Sequence, residues 1–133
     1  MKELKFVIIS IILVCLTSCD PSQDINLVND TGSNVKFKLK INTAIENYEL
    51  QELLKGDSIV VVVGPKKSET LDFGMGDWSG NTVDELATSI KSFEIQTKDI
   101  TTIYHSKASI QKVLKDNRKG FFIKNEIDIK VSE

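Results

Sequence analysis

Side chains able to do chemistry are few in this chain, and most of them surround one glycine-rich loop. Gly74-Met75-Gly76-Asp77-Trp78-Ser79-Gly80 is bracketed by Asp72, Asn81, Asp84 and Glu85, so several oxygen-bearing side chains crowd one stretch. Such a set could hold calcium. With Asp77 as first ligand, however, Thr82 falls where an EF-hand loop needs glycine and Thr88 where it needs a bidentate glutamate, so no metal site is expected. Trp78 could stack on a sugar or enter a partner's pocket, or it could fold back as a plug over the end of a sheet pair. His105, the one histidine, would need a nucleophile and an orienting acid beside it, and no Gly-x-Ser-x-Gly elbow occurs. Lys36, Lys38 and Lys40 alternate with apolar residues and would stand about 6.8 Å apart on one strand face. There they could meet acidic headgroups or an acidic partner, or keep an outer strand from pairing with another chain. Neither a catalytic set nor a cofactor is expected; Trp78, Asp77, Lys36, Lys38 and Lys40 are the candidate contact residues.

The two thiols, Cys15 and Cys19, both lie near the start of the chain. Met1 to Lys5 carries Lys2 and Lys5, and Phe6 to Leu16 is apolar apart from Ser10, the layout of a secretory leader. As a helix this run rises roughly 16 Å, against a hydrocarbon core of roughly 30 Å, too little for a stable span. Leu16-Thr17-Ser18-Cys19 closes the run and resembles the signal of bacterial lipoproteins. The resemblance implies cleavage after Ser18, a diacylglycerol on the Cys19 thiol and acylation of the new amino group. Cys15 follows Val14, branched where that peptidase takes a small residue, so Cys19 is the expected site. Ordinary cleavage with a chance cysteine, or an uncleaved anchor, are the alternatives. Asp20 resembles a sorting signal whose meaning differs between bacterial groups, leaving the membrane and the face open.

Residues 1–18 are thus a signal peptide, 19–24 the acylated cysteine and a short tether, and 25–133 one domain. Removing 18 of the 133 residues leaves 115, a size for one core. Taking Lys2 and Lys5 from 17 basic residues and Glu3 from 19 acidic ones leaves 15 and 18, a net charge of about −3. That mild acidity argues against nucleic acid as a partner. With both cysteines at or before the cleavage point, the domain has no thiol for a disulfide, a metal or catalysis.

Hydrophobic periodicity supplies the elements that would position the candidate residues. Ile25 to Val28 reads as a strand, Asn29-Asp30-Thr31-Gly32 as a turn, and Val35 to Ile41 as a strand with one lysine face, the two strands pairing as a hairpin. Tyr48 to Leu53 is read as a strand after a loop. Ser58 to Val63, a β-branched run, is expected in the middle of a sheet. Ser68 to Phe73, Phe93 to Thr97 and Ile100 to Tyr104 supply further strands. Thr82 with Glu85 forms a capping-box pattern for a helix from Val83 to about Ile90. Ile110, Val113 and Leu114 mark a second helix within Ser109 to Lys115. Phe121 to Val131 alternates as one last strand, with a bulge or bend at Asn125. Together these predict a mainly β, antiparallel, Ig-like sandwich of about 7–8 strands with one or two short helices, or alternatively an α+β fold. The function expected is that of a small membrane-anchored cell-envelope lipoprotein serving as a binding or structural module. Its partners would be membrane lipid through Cys19 and an envelope protein or glycan. An envelope hydrolase using the acidic loop, or a subunit of a larger envelope assembly, are the alternatives.

Overall fold

The computed structural model describes residues 21–42, 48–120 and 123–133. The leader, Cys19 and Phe121 lie outside them. Strand β1 (Ser22–Asp30) points Ile25, Leu27 and Asn29 inward, and β2 (Val35–Ile41) points Val35, Phe37, Leu39 and Ile41 inward. A short helix α1 (Tyr48–Leu53) and a two-residue strand β3 (Leu54–Lys55) follow. Then come β4 (Ser58–Val63), β5 (Lys67–Met75), α2 (Gly80–Ser89), β6 (Ile90–Gln96) and β7 (Thr101–Tyr104). The chain ends with α3 (Lys107–Asp116), β8 (Arg118–Lys119) and β9 (Glu126–Ser132). The described residues therefore form an α+β fold, with a four-stranded sheet β5-β1-β9-β8, a five-stranded sheet β3-β4-β2-β6-β7 and three helices.

One apolar cluster joins the inner faces of both sheets. Ile25, Leu27, Leu71, Ile127 and Ile129 come from the first sheet, and Phe37, Leu39, Ile59, Val63 and Phe93 from the second. Helix α2 adds Val83 and Ala87, and α3 adds Ile110 and Leu114. Phe37 and Phe93 lie with ring centroids 6.5 Å apart, and Phe93 and Tyr104 at 6.0 Å.

The expected hairpin of the first two strands does not form: β1 and β2 belong to different sheets. Residues 31–34 arch from one sheet to the other, and inward parity runs unbroken through the arch, from Ile25, Leu27 and Asn29 through Thr31 to Val35 and Phe37. Alternation shows which side chains face the core but not which strand lies alongside. Asn29, 1% exposed, holds the crossing. Its Nδ2 lies 2.7 Å from the Ser33 carbonyl and 2.9 Å from the carbonyls of Val63 and Gly64. Its Oδ1 accepts from the Thr31 backbone N–H at 2.9 Å and the Thr31 hydroxyl at 2.7 Å. One amide thus satisfies the polar backbone of the arch and reaches the end of β4 in the opposite sheet.

Five further expectations change. The sheets are not wholly antiparallel, because β9 runs parallel to β1, pairing Ile127 with Ile25 and Ile129 with Leu27. A parallel pair needs a long connection, and here nearly the whole chain supplies it. Tyr48 to Leu53 is helix rather than strand, as suits a run of Glu, Leu and Gln, which lose little rotamer freedom in a helix. The last strand is a hairpin rather than one bent strand: β8 pairs with the start of β9, and Asn125 precedes β9. β1 begins at Ser22, earlier than the expected Ile25. The helices start earlier than expected, because the caps are Ser79 and Ser106, whose hydroxyls accept from the Thr82 and Ser109 N–H groups.

Replacing Asn29 by alanine should leave buried carbonyls and the Thr31 N–H without partners. The expected loss is about 2–4 kcal/mol of unfolding free energy, read as a lower urea midpoint with an unchanged m value.

Candidate functional site

The residues singled out by type are not brought together. Trp78 is buried, 2% exposed, and offers no free face to a ligand. Its Nε1 donates to the Asp24 carbonyl at 2.9 Å, its backbone carbonyl accepts from Arg118 Nη1 at 3.1 Å, and Phe73 meets its ring edge to face at 5.0 Å. It plugs the end of the core where β1 and β9 begin. Asp77 is exposed and turns its Oδ1 to the Ser79 N–H. Asp72 accepts from the Gly74 N–H at 2.6 Å. Asp84 points the other way, pairing with Lys107 at 3.1 Å and accepting from Gln111 at 2.8 Å, so that it bridges α2 to α3. Asn81, Glu85 and His105 are exposed. The loop acids thus serve local turns and a helix contact, and no group of three metal-ligating side chains occurs among the described residues.

The lysine strand is not at an edge. β2 is the central strand of its sheet, so Lys36, Lys38 and Lys40 stand in the middle of that sheet's outer face. Across the ladder Lys36 lies between Val62 and Gln96, and Lys38 between Val60 and Glu94, with Ile103 next to Glu94. Lys40 pairs with Asp57 at 3.1 Å. Val60, Val62 and Ile103 are exposed, so the lysine row has two valines on one side and Gln96 and Glu94 on the other, with Ile103 beyond Glu94. Among the described residues β4 is flanked on its outer side only by β3, which pairs with Ser58 and Ile59, so Val60 to Val63 have no described strand partner there. The central-strand reading of that run holds for a third of its length.

A cleft that the residue types did not announce lies at the opposite end from Trp78. It has a volume of about 480 Å³, within the roughly 300–1,000 Å³ of ligand-holding pockets. Thr31 and Ser33 of the arch close its end, Ile95, Thr102 and Tyr104 line one wall, and Val131 of β9 lines the other. Lys98, Asp99, Lys130 and Glu133 stand at its rim. Ile100, 66% exposed, stands where the 97–100 turn leans over the opening. That turn is closed by the Thr97 N–H on the Ile100 carbonyl at 2.8 Å and the Ile100 N–H on the Thr97 hydroxyl at 3.1 Å. In the sequence Ile95, Tyr104 and Val131 look like any inward positions. Only the assembled fold shows them partly uncovered, lining the same cleft.

Behind the rim, Asp30 gathers two lysines. Lys130 Nζ lies 3.0 Å from one carboxylate oxygen and Lys66 Nζ 3.1 Å from the other. Lys66 has φ +56 and also donates to the Asp30 carbonyl at 2.8 Å. Hydrogen bonds from Lys130 and then Lys66, with their charges, hold the Asp30 carboxyl below its ordinary range. At Asp128 burial pushes the carboxyl upward, but bonds from Lys119 and Asn26 outweigh it and the net shift is downward. A carboxyl depressed in the folded state contributes stability that is complete above its unfolded value near 3.9 and is lost as pH falls through the folded value.

The denaturant midpoint should therefore fall on acidification below about pH 4. Asp30→Asn should flatten part of that fall, and added salt should do the same because the cluster is exposed; an unchanged acid profile would remove Asp30 from the account. Set against known proteins, the chain matches no family model, no curated protein and no solved structure.

Proposed function

We propose that this chain is a small cell-envelope lipoprotein, anchored by acyl groups on Cys19, whose two sheets form an open sandwich acting as a binding module within a larger envelope assembly. The anchor reading is carried by the position of Leu16-Thr17-Ser18-Cys19 directly after a basic start and an eleven-residue apolar run. More than one acyl chain makes such anchoring stable, at about 0.8 kcal/mol per buried methylene. Among the described residues no helix is long and apolar enough to cross a membrane, and an acylated cysteine needs none.

The binding reading is supported by the cleft between the sheets, an apolar-walled recess with charges of both signs at its rim. The assembly reading is favoured by the outer face of the five-stranded sheet, where exposed Val60 and Val62 flank the lysine row and Ile103 lies beyond Glu94. A hydrolase would need paired groups around one point. The acids of the glycine loop do not supply them, since Asp72, Asp77 and Asp84 serve three separate contacts.

Growth with an alkyne fatty acid, followed by mass spectrometry of the membrane-purified protein, should show a mature terminus at Cys19 carrying acyl mass. Cys19→Ala should abolish labelling and leave the leader uncleaved. An unlabelled protein beginning at another residue would contradict the anchor.

A further inference from the structure

We infer that the cleft is the place of a missing strand, and that it takes an extended peptide segment of a partner protein, which pairs with the free edge of β9. This rests on the binding-module reading and names the class of partner for that same cleft.

The backbone of β9 divides cleanly. The Asn125 carbonyl accepts from the Asp24 N–H on the β1 side, whereas the Asp128 N–H donates to the Asn117 carbonyl on the opposite side, both at 3.0 Å. Because successive residues of a strand aim their polar groups to alternate sides, Ile127, Ile129 and Val131 serve β1. Asp128, Lys130 and Ser132 face away from it. On that side β8 pairs only with Glu126 and Ile127. Beyond Asp128, the N–H and C=O of Lys130 and Ser132 have no strand partner among the described residues. An edge with such unpaired groups is a template for one more strand.

The surroundings fit a strand rather than a compact ligand. The edge borders the cleft, since Val131 and Ser132 line one side, with Lys130 and Glu133 at the rim, and β6 and β7 line the other. A strand added beside Lys130 and Ser132 would turn alternate side chains toward Ile95, Tyr104 and Val131, three partly buried side chains packed at the margin of the core. Its other side chains would face solvent near Lys98, Asp99 and Lys130. The guest sequence is therefore alternating apolar and polar, four or five residues long, with no requirement for one sign of charge.

Other occupants fit less well. β1 runs from Ser22, beside the Trp78 plug, to Asp30, beside the arch, a span of about 26 Å for nine residues. Two steps of chain from Cys19 to Pro21 reach at most about 7 Å, so the mature tether itself cannot enter a cleft at the far end. A second folded copy is hindered because its own β9 edge faces β6 and β7 across the same cleft.

The acylated full-length mature protein in detergent micelles provides the test, with an array of fluorescent ten-residue peptides alternating apolar and polar positions as the probe. Some members should bind with micromolar to submillimolar Kd. On saturation the Lys130 and Ser132 amides should gain at least tenfold protection from hydrogen exchange by NMR, while the Ile129 and Val131 amides, already paired with β1, should change little. N-methylation of alternate peptide amides should abolish binding in one register and spare it in the other. Ser132→Pro, which removes an edge-facing N–H, should weaken binding at least fivefold; Thr102→Trp, which fills the cleft from the other wall, should block it. No binder in the array would overturn the inference, as would binding that leaves both edge amides exchanging as before, or protection that appears without peptide as the protein dimerises. None of these outcomes would alter the acyl mass at Cys19, so the lipoprotein reading stands or falls separately.

Discussion

A single buried amide holds the two sheets in register. Without a partner, each polar group of a chain crossing between sheets through an apolar core costs roughly 1–3 kcal/mol. Asn29 supplies the partners from within the same turn, accepting from Thr31 and donating to the Ser33 carbonyl, and it also reaches Val63 and Gly64 at the end of β4. Asparagine is suited to this place because its side chain both donates and accepts. Aspartate would set a negative charge against three carbonyls, and leucine would leave the arch unbonded. The inward alternation can therefore continue through a polar crossing without breaking the core.

From that crossing the two ends of the molecule acquire different characters. At one end Trp78 closes the core, tied by Asp24 and Arg118 to β1 and β8 and packed on Phe73. At the other the arch carries the chain from β1 to β2, and β6, β7 and the last residues of β9 border the cleft. Pro21 lies at the Trp78 end, its carbonyl accepting from the Gly76 N–H at 2.9 Å. The surface charge is spread in local pairs such as Lys40 with Asp57 and Lys107 with Asp84, each worth little alone in water.

Strands whose faces differ chemically were the readable part of the fold. Val35 to Ile41 shows its lysine face and its core face in plain alternation, and Ile110 with Leu114 marks the inner side of α3. Partnership between strands was not readable, because period two is the same whether Ile25 to Val28 pairs with the next strand or with one a hundred residues away. Chain direction in β9 was hidden for the same reason. Composition did separate helix from strand at Tyr48 to Leu53, where Glu, Leu and Gln carry the signal, but the missing apolar period concealed it. Trp78 was legible as an alternative between plug and contact, and burial decides for the plug. The cleft was invisible, since Ile95, Tyr104 and Val131 carry the same inward signature as residues that are fully covered.

The central claim is that the Asn29 side chain ties the arch to the opposite sheet. Its side-chain amide protons, followed by nitrogen-15 NMR in the native protein, test this most directly. The account predicts two resolved, slowly exchanging Nδ2 protons with cross-relaxation to Ser33 and Gly64. A single averaged pair exchanging at the rate of a solvent-exposed asparagine would contradict it.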